Sequence, residues 1–184
     1  GVQVNNSDAA LDFYDAKRLA DWVGVYPGVE HWVRERIGKP IDGWSAHGAW
    51  ATHAIEEAYC LDESQRVVQR SASKVHPLSV PQALEAMVQV LGKPGGVVRL
   101  IGLSGTGKTR LVEALFDPVV HPTALNKSLA LYTDQGNAPN PTARDMLLQL
   151  GRNRTRAVVV VDNCPPQTHT ELVKTVRKFP NFLS

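Results

Sequence analysis

The chain has 184 residues, 43% of them hydrophobic and 21% charged, with a formal net charge of +2, a balance that excludes extensively disordered, collagen-like and disulfide-scaffold classes. It contains no run of about 18 apolar residues that could span a bilayer, and its opening GVQVNNSDAALDFYD lacks the basic and apolar regions of a secretory signal. Two cysteines, Cys60 and Cys164, cannot build a disulfide framework and fit a reducing, cytoplasmic compartment.

Residues 8–37 predict two helices. Leu11, Tyr14, Leu19 and Trp22 recur at helical spacing, then Val29, Trp32, Val33 and Ile37 do the same, with Pro27-Gly28 as the turn between them. A structured loop of glycine and aromatic residues follows over 38–52, and a further helix is expected over about 49–70. SASKVHPLSVPQ then breaks the pattern. The boundary falls near 72–80, dividing a helical N-terminal region, 1–75, from an α/β domain, 76–184.

Ser79 with Gln82 forms a capping box that opens a helix to about Leu91, stopped by GKPGG. Val97-Val98-Arg99-Leu100-Ile101 reads as a short strand, and GLSGTGKT follows directly. A helix carrying Leu111, Val112, Leu115 and Phe116 then runs to Asp117-Pro118. A second strand covers 128–133 and ends in Asp134. Asn140-Pro141 reads as the cap and first turn of a helix over about 142–150. The third strand, Ala157 to Val161, is rich in valine, as suits a strand buried on both faces of a parallel sheet, and Asp162 stands at its end. Thr168 with Glu171 forms another capping box, for a helix to about Lys178.

The sharp motif is Gly102-Leu103-Ser104-Gly105-Thr106-Gly107-Lys108-Thr109, which matches G-x-x-x-x-G-K-[ST]. Average composition produces it by chance in roughly one such chain in a hundred or fewer. Backbone N–H groups over 104–109 can wrap a β-phosphate because Gly105 and Gly107 permit conformations that a Cβ would block. The helix N-terminus favours negative charge there. The expected ligand-binding residues are Gly102, Ser104, Gly105, Thr106, Gly107, Lys108 and Thr109, with Arg110 beside them. Lys108 would reach the β/γ-phosphate oxygens, and the Thr109 hydroxyl would ligate Mg²⁺. Asp162 would hold the same ion, usually through water, so Lys108 and Asp162 are the expected catalytic residues. A glycine turn with an incidental Lys-Thr is the bland alternative. Charge agrees with an anionic ligand: residues 1–98 carry 9 Lys/Arg against 12 Asp/Glu, and 99–184 carry 11 against 6.

Asn163 follows Asp162, where many ATPases place a glutamate that polarises the attacking water. An amide cannot accept a proton in that way, so hydrolysis is expected to be weak or absent. Asp134 faces the nucleotide edge or caps a loop. Arg152, Arg154 and Arg156 alternate along a segment that reads as a solvated basic loop, an arginine finger being the alternative. Val75, His76 and Leu78 read as packing rather than an adenine pocket, and Cys164 as an ordinary thiol. Trp22, Trp32, Trp44 and Trp50 lie in an acidic half, which favours core or interface packing over a base-stacking platform; nucleic acid is not an expected partner. His47 and His53 lack a metal-ligand constellation. Asp12, Asp15, Glu30 and Glu35 read as solvated helix faces rather than a nuclease cluster.

HPLSVPQALEAM, VVRLIGLSGTGKTRLVEALFD, ALYTD and RAVVVVDNCPP together resemble STAND-type P-loop NTPases related to the AAA+ group, and in particular the NTPase segment of large bacterial antiphage-defence proteins. FYDAKRLADWVGVYPGVEHWVRERIGKPIDGW resembles the helical region ahead of that segment. The resemblance implies a partial three-layer α/β/α P-loop sheet of about three parallel strands, preceded by α-helices. It implies ATP and Mg²⁺ as cofactors, with Lys108, Thr109 and Asp162 at their positions. The implied activity is that of a nucleotide switch, with ATP hydrolysis left open, that self-associates or works with flanking domains. In that arrangement the strand after the Asp strand lies between it and the P-loop strand, and the residues from Lys178 to Ser184 are where it should begin. The expectation is a piece of a longer polypeptide, with either an unfilled central slot or direct pairing of 97–101 with 157–161. A small P-loop kinase and an assembly module with a vestigial site are the alternatives.

Overall fold

The computed structural model describes residues 15–48, 50, 64–70 and 75–184. Helix α1 (Ala16–Gly24) starts at Asp15, whose carboxylate accepts the Arg18 amide at 2.7 Å. Helix α2 (Pro27–Arg36) begins on Pro27. Pro27-Gly28 is thus the first turn of α2 rather than a break before it, because proline at the first helical position forfeits no hydrogen bond. Gly28 also has a packing role. A Cβ there would lie 2.8 Å from the Ser128 carbonyl oxygen and 2.9 Å from that of Ala130, so only glycine lets α2 lie this close to that backbone.

A short strand, β1 (Trp44–Ala46), follows, and then β2 (Val67–Arg70) and β3 (Val75–Leu78) pair as an antiparallel ribbon. The helix expected over 49–70 is therefore corrected at its end. The β-branched Val67 and Val68 favour an extended chain, and the Val75–Leu78 segment supplies the partner that satisfies their backbone. Residue 49 and residues 51–63 of that expected helix, with Cys60 and His53, lie outside the described residues, as do 1–14 with Asp12, and 71–74.

Helix α3 (Val80–Leu91) has the expected capping box: the Ser79 amide donates to Gln82 Oε1 at 2.9 Å and the Gln82 amide donates to Ser79 Oγ at 3.4 Å. Next come α4 (Lys108–Ala114), β4 (Ala130–Asp134), α5 (Ala143–Arg152), β5 (Val158–Asp162) and α6 (Pro166–Val176). Two starts differ from expectation. Thr142, not Asn140, caps α5, its hydroxyl accepting the Asp145 amide at 3.2 Å. Helix α6 begins at Pro166, two residues before Thr168, because Pro166 supplies a ready first turn.

The molecule is mixed α/β, with six α-helices among the described residues and a small mixed sheet of order β1-β4-β5. Strands β4 and β5 run parallel with Asp134 opposite Asp162, while β1 is antiparallel to β4 with Trp44 opposite Thr133. Residues from before position 75 thus form one edge of the sheet that the later residues build. Side chains alternate along β4 and β5. Ala130, Tyr132 and Val158 pack under Leu84, Met87, Leu115 and Phe116. On the opposite face Leu131 packs with Trp44, Met146, Leu150, Leu172 and Val176.

Residues 97–101 differ from expectation: they join no ladder, so the sheet has two parallel strands and an antiparallel edge rather than about three parallel strands. The C-terminal residues supply the reason. Leu183 bridges Ala157 in parallel, the Val159 amide donates to the Ser184 carbonyl at 2.9 Å, and Ser184 Oγ donates to the Lys93 carbonyl at 3.0 Å. Leu183 and Ser184 thereby wedge between β5 and the chain leading to Val97. Beyond them a cavity of about 340 Å³ separates 97–102 from 158–162. Direct pairing of 97–101 with 157–161 does not occur. Val159, Val160 and Val161, expected to be buried on both faces, are only half-buried because they border this cavity.

Acid sensitivity is built into α2. His31 is 4% exposed, and desolvation holds its pKa below the ordinary 6.5, against the smaller opposing influence of Glu30 and assisted by Arg34. Burial shifts His47 the same way. The unfolded chain takes up these protons below about pH 6.5 while the folded chain resists them, so stability present above that pH is lost as pH falls. Melting midpoints are expected to be lower at about pH 5.5 than at about pH 7.5, and His31→Gln to narrow the difference. An undiminished difference in the variant would place the sensitivity elsewhere.

Candidate functional site

Parallel pairing of β4 and β5 brings their carboxyl ends together, so Asp134 and Asp162 leave adjacent strands at the same level and on the same face. Residues 102–107 form an exposed loop in front of α4. Gly105 and Gly107 have φ of 77° and 76°, and a Cβ on either would meet nothing within 4 Å. Glycine is therefore required there by backbone conformation, not by crowding. The loop is tied by its own side chains. The Thr106 hydroxyl donates to the Leu103 carbonyl at 2.8 Å, and the Lys108 ammonium donates to the same oxygen at 2.6 Å.

Thr109 closes the arrangement. Its hydroxyl donates to Asp162 Oδ2 at 2.7 Å across 53 residues of sequence. The Tyr132 hydroxyl donates to the same oxygen at 3.3 Å, and the Asn163 amide donates to Oδ1 at 2.8 Å. Burial first, then the Asp162 and Asp134 carboxylates, push the Tyr132 pKa far upward, so its hydroxyl stays a neutral donor. Trp50 stacks on Tyr132 with ring centroids 5.0 Å apart and planes 12° apart.

Asn163 takes a left-handed conformation, φ 49°, which asparagine tolerates better than most residues. Its side-chain amide reaches across to β4 and donates to both Asp134 oxygens, at 2.9 and 3.0 Å. Asp134 Oδ1 also accepts the Gly136 amide at 2.8 Å, so Asp134 caps a loop.

The structure thus brings Lys108, Thr109 and Asp162 together with the glycine loop of Gly102, Ser104, Gly105, Thr106 and Gly107. Arg110 points elsewhere, its guanidinium 3.3 Å from the buried Glu113 carboxylate. Arg152 lies in the last turn of α5 and Arg154 is left-handed, φ 55°, so the three arginines do not line one extended segment. They lie toward the start of β5, the end opposite Asp162. Trp44 and Trp50 are buried, whereas Trp22 and Trp32 are exposed on α1 and α2. Asp15 caps α1 and Glu30 pairs with Arg34 at 2.9 Å. Burial pushes the Cys164 thiol up, against a smaller opposing effect of Arg99, which leaves it protonated and unreactive at neutral pH.

Among the described residues no group of three or more His, Cys, Asp or Glu side chains gathers to hold a metal. The Thr109 hydroxyl and Asp162 carboxylate are hard oxygen donors, the kind that bind a hard divalent ion completing its shell with water or phosphate oxygens. Sequence reasoning missed Tyr132, Trp50 and the Asn163–Asp134 pair. The first was within reach, since period-two alternation places Tyr132 on the face of Asp134; the others join residues too far apart for any local pattern. Among the described residues no helix is long and apolar enough to cross a membrane. No family model, curated protein or solved structure matches the chain.

Proposed function

We propose that this chain binds ATP with Mg²⁺ through residues 102–109 and Asp162, as a nucleotide switch of the STAND P-loop type working in the cytoplasm. The observation that carries the reading is the 2.7 Å contact between Thr109 and Asp162. Two residues singled out by motif chemistry meet at one point, with Lys108 next to Thr109 in sequence. The glycine loop supplies unblocked backbone N–H groups for phosphate oxygens, and Lys108 supplies charge where the phosphates would lie. Magnesium held there would neutralise phosphate charge. Thr109 and Asp162 would ligate it, with Tyr132 and the Asn163 backbone N–H orienting the carboxylate.

The finer fold reading, part of a P-loop NTPase sheet, draws support from the parallel β4-β5 pair ending in the site and from the cavity between β5 and 97–102. That gap, entered by Leu183 and Ser184 running parallel to β5, is where the family resemblance places a further strand. Self-association, or action with flanking domains, belongs to the same proposal.

The test is titration of the chain with mant-ATP in the presence of Mg²⁺ and again with the ion chelated. Saturable binding that weakens on chelation is expected. A folded chain that binds no nucleotide in either condition would refute the reading.

A further inference from the structure

The residue after Asp162 is an amide, and an amide accepts no proton from an attacking water. Its side-chain nitrogen is nonetheless engaged: Nδ2 of Asn163 spans both oxygens of Asp134, from a left-handed backbone that turns it toward β4. Asp134 and Asp162 are register partners on adjacent parallel strands, so their backbones lie one strand spacing apart, about 4.8 Å. Both side chains leave the sheet on the same face and at the same end. The site therefore has a carboxylate, carried by the neighbouring strand and held at a fixed angle by the amide.

We infer that Asp134 is the general base for ATP hydrolysis in this chain and that Asn163 is its positioning residue. The inference rests on the ATP-binding reading and deepens it. In the step assigned, the oxygen of a water bonds to the γ-phosphorus. The bond from that phosphorus to the β,γ-bridging oxygen breaks, and its electron pair leaves with ADP. The proton released by the water passes to the Asp134 carboxylate, and the products are ADP and inorganic phosphate. No other reactant is needed. Asn163 fits the supporting role because it only donates to Asp134: it fixes both oxygens without taking a proton. Asp162 is not free to act as the base, since the ATP-binding reading commits its carboxylate to Mg²⁺ beside Thr109.

The test compares the unaltered chain, Asp134→Asn, and the exchange variant carrying Asp134→Asn with Asn163→Asp. Asparagine at 134 can still accept the Gly136 amide, so the 135–137 turn is retained. Three quantities are measured: mant-ATP affinity with Mg²⁺, single-turnover phosphate release, and affinity for ADP with aluminium fluoride, which mimics the transferring phosphoryl group together with its water. Asp134→Asn is expected to keep mant-ATP affinity within about twofold and to lose about 10²- to 10⁴-fold in phosphate release. Affinity for the aluminium fluoride complex should fall as well. The exchange variant, with the carboxylate moved one strand across and the amide facing it, should recover most of both. Phosphate release by Asp134→Asn at the unaltered rate overturns the inference, as does an exchange variant that stays inactive. An unaltered chain that binds Mg²⁺-ATP but releases no phosphate also overturns it, while leaving the binding reading in place. Failure to bind ATP at all removes the binding reading and this inference with it.

Discussion

Lys108→Ala is expected to lower the affinity for Mg²⁺-ATP by about 10- to 100-fold while leaving the fold intact. Hydrogen bonds to charged groups contribute about 1.5–3 kcal/mol each, and about 1.4 kcal/mol corresponds to a tenfold change in affinity. In the structure the ammonium donates to the Leu103 carbonyl on an exposed loop, and that loop is also tied by Thr106. Loss of the ammonium therefore removes positive charge from the proposed phosphate site without emptying the core. Fluorescence titration with mant-ATP reads the first effect and a thermal melt the second. Equal affinity in the variant would show that Lys108 contributes no phosphate contact.

Trp50→Ala is expected to destabilise the fold strongly. Trp50 is 8% exposed. It stacks on Tyr132 and meets Phe116 and His47 edge-on, at 5.7 and 5.2 Å. Its indole N–H donates to the Ala46 carbonyl at 2.8 Å, and its amide donates to the buried Glu113 carboxylate at 3.2 Å. Truncating a buried tryptophan costs about 3–5 kcal/mol. For a chain of this size each kcal/mol lowers the melting temperature by about 2–4 °C, so a fall of about 6–20 °C is expected by circular dichroism. Trp50→Phe should recover part of it, because the ring stack is kept and the indole hydrogen bond is not. A fall below about 3 °C would mean that the ring does not anchor the region before residue 75 to the sheet. The variant should also weaken Mg²⁺-dependent binding, since Tyr132 loses the surface that holds its hydroxyl toward Asp162.

What could be read locally is seen most clearly around α3 and β5. The capping box at Ser79 and Gln82 uses only neighbours in sequence, and it stands as expected. The valine run and its terminal Asp162 fall within one residue of the expected strand. Elements whose identity depends on a distant partner were less legible. Val67 to Arg70 is a strand because Val75 to Leu78 lies beside it. Residues 97–101 have the β-branched composition of a strand, yet their neighbour on one side is a cavity rather than β5. Asn140-Pro141 offered a cap, and Thr142 two residues later provided it.

The candidate site divides in the same way. By itself the sequence determined which groups are available: a glycine loop able to take left-handed angles, a lysine and a hydroxyl directly after it, and an acid at the end of an apolar run. Those are properties of residue type and spacing, which the backbone expresses locally. Only the tertiary structure decided that Thr109 meets Asp162, that Tyr132 and Trp50 stand behind the carboxylate, and that Asn163 grips Asp134. The Tyr132–Asp162 and Asn163–Asp134 contacts require parallel β4 and β5 in their observed register, where a slip of one residue would turn every side chain to the other face. That register is set by burial on both sheet faces, a collective property of the folded chain that no local stretch of sequence specifies.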